Sequence, residues 1–323
     1  MARRKHCYSG IGGQAVLEGV MMKNKDKYAV AVRRPDGGIT VDVESYQGIL
    51  AGSRIKELPF IRGVFNFVDS LILGTRCLNY SASFCEEEEE PGSAGGEKLM
   101  TVLVTCISIV LAVGIFIVLP YYLSSLLNGW LRNQSLVTII EGVVRILIFI
   151  LYVCGISIMK DIRRLYRYHG AEHKCINCIE RGRPLTVDNA MRSSRLHKRC
   201  GTSFIFFVFL VSIVLFFFIK VENPAARVGL RILLMPVVAG ISYEIIRLAG
   251  RSDNILVRLV SAPGMAVQRM TTKEPDKEMV ETAIAAVEAV FDWKKYLADH
   301  FGYEADEDRN QEDREEIPAD ARS

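Results

Sequence analysis

The sequence predicts an α-helical polytopic membrane protein. It has about four transmembrane helices, a small N-terminal cytoplasmic β-hairpin unit and a C-terminal cytoplasmic amphipathic helix. Three observations lead there. The 323 residues are 50% hydrophobic yet 24% charged, with mean hydropathy +0.20, because the two kinds of residue occupy separate segments. Four apolar segments, residues 99–127, 135–159, 202–219 and 228–250, are long enough to cross a bilayer core. The stretch between the second and third, residues 160–201, carries eleven Lys and Arg, whereas the other connections carry few. By the positive-inside rule that loop is cytoplasmic, and with four spans both termini are cytoplasmic too.

The elements follow in order. Residues 1–58 read as a cytoplasmic β-containing unit, since "KYAVAVRRPDGGITVDVESY" is two strands about a Pro-Asp-Gly-Gly turn. The start, "MARRKHCYSGIGG", has no apolar h-region, so no signal peptide is expected. The glycines of "GIGGQAVLEGVMMK" fit neither dinucleotide nor Walker spacing. In residues 59–84, Val64, Val68, Leu71 and Ile72 recur at helical spacing, interrupted by Arg62, Asp69 and Arg76. That pattern predicts an amphipathic helix on the cytoplasmic leaflet or against the bundle. Residues 85–98 are an acidic Gly/Ser linker.

Residues 99–250 form the four-span domain. Glu141 and Arg145 at i,i+4 can pair within the second span, and Arg231 and Glu244 lie in the fourth. Such charges face protein or water rather than lipid. Residues 251–301 begin with an interfacial segment broken at Pro263-Gly264 and continue as one amphipathic helix with Pro275 near its start. Residues 302–323 are an acidic tail of disordered composition. A net charge of +3 gives no reason to expect nucleic acid as a partner.

The chemistry concentrates in "RYHGAEHKCINCIERG", residues 167–182. Two of the five histidines, His169 and His173, stand there at i,i+4 with Glu172, Cys175 and Cys178. If the second span runs on as a helix past Lys160, both histidines share a face within reach of one ion. The string H-x-x-E-H is the inverted zincin pattern, in which two His hold zinc and the Glu is general base. A third ligand is needed, and His197, Cys200 and Glu244 are the candidates. A rival grouping pairs Cys175-x-x-Cys178 with His197-x-x-Cys200 as a closed structural zinc knuckle. A third alternative is no metal at all, with reduced cysteines in a cytoplasmic loop.

The blocks "GGQAVLEGVMM", "YHGAEHK" with "INC", "LHKRCGTSF", "SYEIIRLAGR" and "SAPGMAVQRMTTKEPD" resemble, in order, signature blocks of the bacterial YqhQ family. The resemblance runs from Gly12 to about Ala289. It implies a multi-pass protein of the bacterial cytoplasmic membrane, of unknown function and often labelled a predicted metal-dependent enzyme. The implied site is His169, Glu172, His173 and His197, with Cys200 and Glu244 in adjoining blocks. Cys175 departs from the family pattern, where threonine is common.

The expected function is therefore a metal-dependent membrane hydrolase. A divalent metal, zinc first, would be held at the cytoplasmic face with Glu172 as general base. The expected substrate is an anionic lipid or a membrane-anchored chain. The alternative is a non-enzymatic membrane factor, with structural zinc or none, acting through a cytoplasmic partner in membrane-protein assembly or transport.

Overall fold

The computed structural model describes residues 7–49, 52–54, 58–84, 94–127, 133–219, 221, 223–251 and 254–304. Most of the predicted acidic linker (85–93), most of the acidic tail (305–323) and part of the first inter-span connection (128–132) lie outside the described residues.

The chain begins with a four-stranded antiparallel sheet in sequence order: β1 Gly12–Val16, β2 Gly19–Asn24, β3 Lys27–Arg33 and β4 Ile39–Ser45. The Pro-Asp-Gly-Gly turn joins β3 to β4, with Gly37 at φ 86°. The first two hairpins turn on only two residues each, Leu17-Glu18 and Lys25-Asp26. Glu18 (φ 51°) and Lys25 (φ 55°) take the positive φ that such tight turns require. Neither turn carries glycine or asparagine, so sequence pattern gives no signal for them.

Side chains alternate across the sheet. Met21, Tyr28, Val30 and Val32 face Leu73 and Cys77 of α1 (Ile61–Ala82). Val20, Met22 and Ala31 face a larger core built from α5 (Lys160–Glu180), α11 (Lys277–Val290) and α12 (Trp293–Phe301). The sheet is thus clasped between α1 and the α5–α11 pair. The other end of α1 leaves the sheet and packs along α9 (Met235–Arg251), where Gly63 meets Gly240 and Tyr243.

The apolar segments form helices. Val102–Ser125 is an apolar rod made of α2 (Ala94–Val113), a π-helical turn (Gly114–Val118) and α3 (Leu119–Ser125). Leu136–Ile156 lies within α4 (Gln134–Ile156). These two are long and apolar enough to cross a membrane. The third predicted span is the shorter helix α7 (Gly201–Phe217). The fourth is a pair, α8 (Pro224–Leu233) and α9, bent by 43°. Among the described residues, two helices are therefore long and apolar enough to cross a membrane, or three if the bent pair counts as one span.

Three local expectations are corrected. The second span does not run into α5, because Met159 is extended (φ −63°, ψ 134°) and a new helix starts at Lys160. The segment thought broken at Pro263-Gly264 is one helix, α10 (Ile255–Thr271), with Pro263 inside. Packing on α7 and α9 outweighs the lost hydrogen bond, and Gly264 lies against Ser203. The C-terminal amphipathic helix is two helices, because Phe291 is extended and Asp292 caps α12 by accepting from the Lys295 N–H at 2.9 Å.

The strap between α10 and α11 crosses α5 closely. The Lys273 N–H donates to the Tyr166 carbonyl at 2.8 Å. A Cβ on Gly170 would stand 2.0 Å from the Lys273 oxygen. Gly170→Ala must therefore push the strap away, at a cost of about 1–3 kcal/mol. Thermal unfolding in detergent should register a clearly lowered midpoint; an unchanged midpoint would mean the strap is not held there.

Candidate metal centre

Helix α5 is polar in sequence yet buried at every position from Gly170 to Glu180. Buried polar groups need partners, and the loop between α6 (Val187–Met191) and α7 supplies most of them. Lys174 Nζ donates to the carbonyls of Met191 (2.7 Å) and Ser193 (3.0 Å). Asn177 donates to those of Ser194 (2.7 Å) and Leu196 (3.1 Å). Glu180 accepts from Ser9 Oγ (2.7 Å) and Arg199, and lies 3.2 Å from His197 Nε2. These bonds fold the loop back along α5 and bring Cys200, the residue capping α7, beside the two histidines.

His169 Nδ1 lies 2.9 Å from the Thr271 carbonyl, and His173 Nδ1 lies 2.7 Å from the Arg195 carbonyl. A carbonyl only accepts, so each Nδ1 carries the proton and each Nε2 is left to coordinate. This backbone-anchored arrangement is how ligating imidazoles are oriented. The two rings are 4.4 Å apart, and His169 Nε2 is 3.2 Å from Cys200 Sγ. Ligand atoms of His169, His173 and Cys200 all lie within 4.8 Å of one another. Among the described residues this is the one such group of His, Cys, Asp and Glu.

Glu172 completes the picture. It is 4% exposed. The Gly13 N–H bonds its carboxylate, while Oε2 is buried without a hydrogen-bond partner. Gly13 is needed there, since a Cβ would meet the Met21 carbonyl at 2.5 Å and the Glu172 carboxyl carbon at 3.1 Å. The sheet thus delivers a backbone N–H to the site.

The electrostatics are those of a strongly coupled pair. Burial opposes a thiolate at Cys200, but His169 and His173 beside it hold the thiol well below its usual range. The helix N-terminus it caps acts in the same sense. Burial also opposes charge on His169, yet the Cys200 thiolate outweighs it and lifts the imidazole to about 9. Burial pushes the Glu172 carboxyl up, partly offset by the two histidines. A thiolate and two Nε2 atoms form a donor set suited to zinc, and the buried Glu172 carboxyl feels all three.

The other predicted ligands lie as follows. His197 stands beside His173, with ring centroids 5.7 Å apart, but its Nε2 faces Glu180 rather than the cluster. Glu244 sits on α9 and binds Arg62 of α1, with Oε1 2.6 Å from Arg62 Nε; its carboxylate is engaged there and does not join the histidines. Cys178 Sγ points to the Arg183 and Pro184 carbonyls. Burial raises Cys178 to about 11 and Cys175 well above the usual thiol range. The four groups of the predicted knuckle therefore do not converge. Sequence reading passed over Gly13, Glu180 and Thr271. The paired glycines of "GIGGQAV" were the only signal for the first, and the Thr271 carbonyl leaves none.

Comparison with known proteins gives a consistent result. A family model described as a protein of unknown function (DUF1385) matches residues 58–293. The uncharacterized protein YqhQ of Bacillus subtilis (strain 168) is 34% identical over 284 residues, covering 84% of this chain and 89% of that protein. No solved structure matches.

Burial depresses the His197 pKa below its ordinary 6.5. Its contribution to stability is therefore complete above that value and is lost as pH falls through the lowered folded pKa. His197→Gln should flatten the decline of the unfolding midpoint below pH 6.5. A variant with the wild-type slope would show that His197 is not held neutral.

Proposed function

This chain belongs to the DUF1385 family, and we propose that it is a metal-dependent hydrolase of the bacterial cytoplasmic membrane. A divalent ion, zinc first, is held by His169 and His173 through Nε2 and by Cys200 through Sγ. The observation that carries this reading is the convergence of those atoms within 4.8 Å beside the unpartnered, buried Glu172 Oε2. Bound there, zinc would supply Lewis-acid activation of water near neutral pH. Glu172 is the general base, with its second oxygen steadied by Gly13. The reaction class is hydrolysis of an amide, ester or phosphoester in a lipid or membrane-anchored substrate.

In this reading the chain crosses the bilayer four times, with α7 as the third span and the bent α8–α9 pair as the fourth. The basic segment 160–201 and both termini are cytoplasmic. Support comes from α2, whose Val102, Val110 and Leu111 are each more than half exposed; so large an apolar surface calls for lipid.

One observation favours a second reading. His173 (2%), Glu172 (4%) and Cys200 (6%) are all nearly closed to solvent, so Glu172 can serve instead as a fourth ligand. A closed site would fasten α5 to α7 without catalysis, in a membrane factor that acts through a cytoplasmic partner.

Elemental analysis of the purified chain separates these readings. We expect about one metal ion per chain, lost in His169→Ala and Cys200→Ala and retained in Cys178→Ala and Glu172→Gln. Loss in Glu172→Gln would favour the closed structural site. A metal-free wild type, prepared without chelators, would overturn both.

A further inference from the structure

A second concentration of buried charge lies at the far end of α7 from Cys200, roughly 25 Å away at 1.5 Å per residue. Glu141 of α4 accepts from Arg145 at 2.9 Å and from Arg231 of α8, with Oε2 at 2.6 Å from Arg231 Nη2. Arg145 also donates to Ser212 at 3.1 Å. One helical turn before Arg231, Arg227 is buried as well. Among the described residues it has no carboxylate partner; its guanidinium lies 5.7 Å from the Tyr121 ring centroid, and that of Arg231 lies 5.6 Å from the same ring. Among the described residues Arg145 and Arg231 share the Glu141 carboxylate and Arg227 adds a third buried guanidinium, an imbalance that is costly in apolar surroundings.

Two openings adjoin this cluster. A gap of about 10 Å³, the size of one water, is lined by Arg227 and Arg231 together with Phe216 and Ile219 at the end of α7. An open cleft of about 520 Å³ runs between α3 and α8, lined by Val118, Tyr121, Tyr122, Ala225, Gly229 and Ile232, and the Tyr121 ring in its wall is the one that the Arg227 and Arg231 guanidiniums approach. The first offers the Arg227 fork, since both Nη atoms of Arg231 are held by Glu141, and the second is apolar.

We propose that these two openings bind one anionic phospholipid. Its phosphate lies at the mouth of the one-water gap, held by the Arg227 fork with the neighbouring Arg231 adding positive charge, and an acyl chain lies in the cleft. Guanidinium forks match phosphate oxygens in pairs. The excess positive charge selects an anionic over a zwitterionic headgroup. The apolar cleft beside the forks selects a lipid over free phosphate. This inference rests on the bilayer placement proposed above and is independent of the metal site.

The test is native mass spectrometry of the full chain in detergent, with phosphatidylglycerol, diacylglycerol of the same chains, and inorganic phosphate as probes. Phosphatidylglycerol should give a saturable adduct that diacylglycerol does not. Arg227→Gln, which breaks no ion pair, should weaken it roughly tenfold or more. Gly229→Leu should weaken it as well by filling the cleft, without loss of thermal stability, because a Cβ there meets nothing within 4 Å. Equal binding by wild type and a folded Arg227→Gln, equal binding of diacylglycerol, or displacement by millimolar inorganic phosphate would each overturn the proposal. A chain soluble without detergent would instead overturn the bilayer placement.

Discussion

From Gly170 to Glu180, α5 has no side turned to water. Its sequence there includes Glu172, His173, Lys174, Asn177 and Glu180. An unsatisfied polar group in such a position costs about 1–3 kcal/mol, and more if charged. The surrounding chain is arranged around that demand. The loop from Met191 to Cys200 turns its carbonyls onto Lys174, Asn177 and His173. The C-terminal end of α10 brings Thr271 to His169. The N-terminal segment brings Ser9 to Glu180 and Gly13 to Glu172. The sheet, α11 and the start of α7 hold their places because each closes one side of a polar helix.

Against that background the unsatisfied Glu172 Oε2 stands out. Every other polar side chain on the buried run of α5 has been given a partner, and this one sits beside a thiolate and two oriented imidazoles. A cation at the cluster would compensate the carboxylate, the thiolate and the two lone pairs together. The His169 imidazole is raised and the Cys200 thiol lowered as a pair, because each favours the charged form of the other.

Much of this was legible locally. The i,i+4 spacing of His169 and His173 put them on one helical face, and the Pro-Asp-Gly-Gly turn marked β3 and β4. What was not legible depends on long-range contacts. Cys200 is 31 positions from His169, and the hydrogen bonds of His173, Lys174, Asn177 and Glu180 to the loop bring it back. The polar residues of α1 suggested an amphipathic helix, but nothing in them foretold that Arg62 would take Glu244, because that follows from Gly63 meeting Gly240. Pro263 looked like a break in sequence because local rules count its missing N–H and not the packing of α10 on α7. The knuckle failed for a similar reason: Cys175 and Cys178 face the apolar core shared with α11 and the turn after α5, not the loop that carries Cys200.

The most direct measurement is X-ray absorption at the zinc edge of the purified, zinc-loaded chain. Coordination by His169, His173 and Cys200 predicts one sulfur at about 2.3 Å with nitrogen or oxygen neighbours near 2.0–2.1 Å, and loss of the sulfur shell in Cys200→Ser. Two or more sulfurs, or a sulfur shell that survives Cys200→Ser, would contradict the assignment and return the cysteines of the α5 turn to consideration.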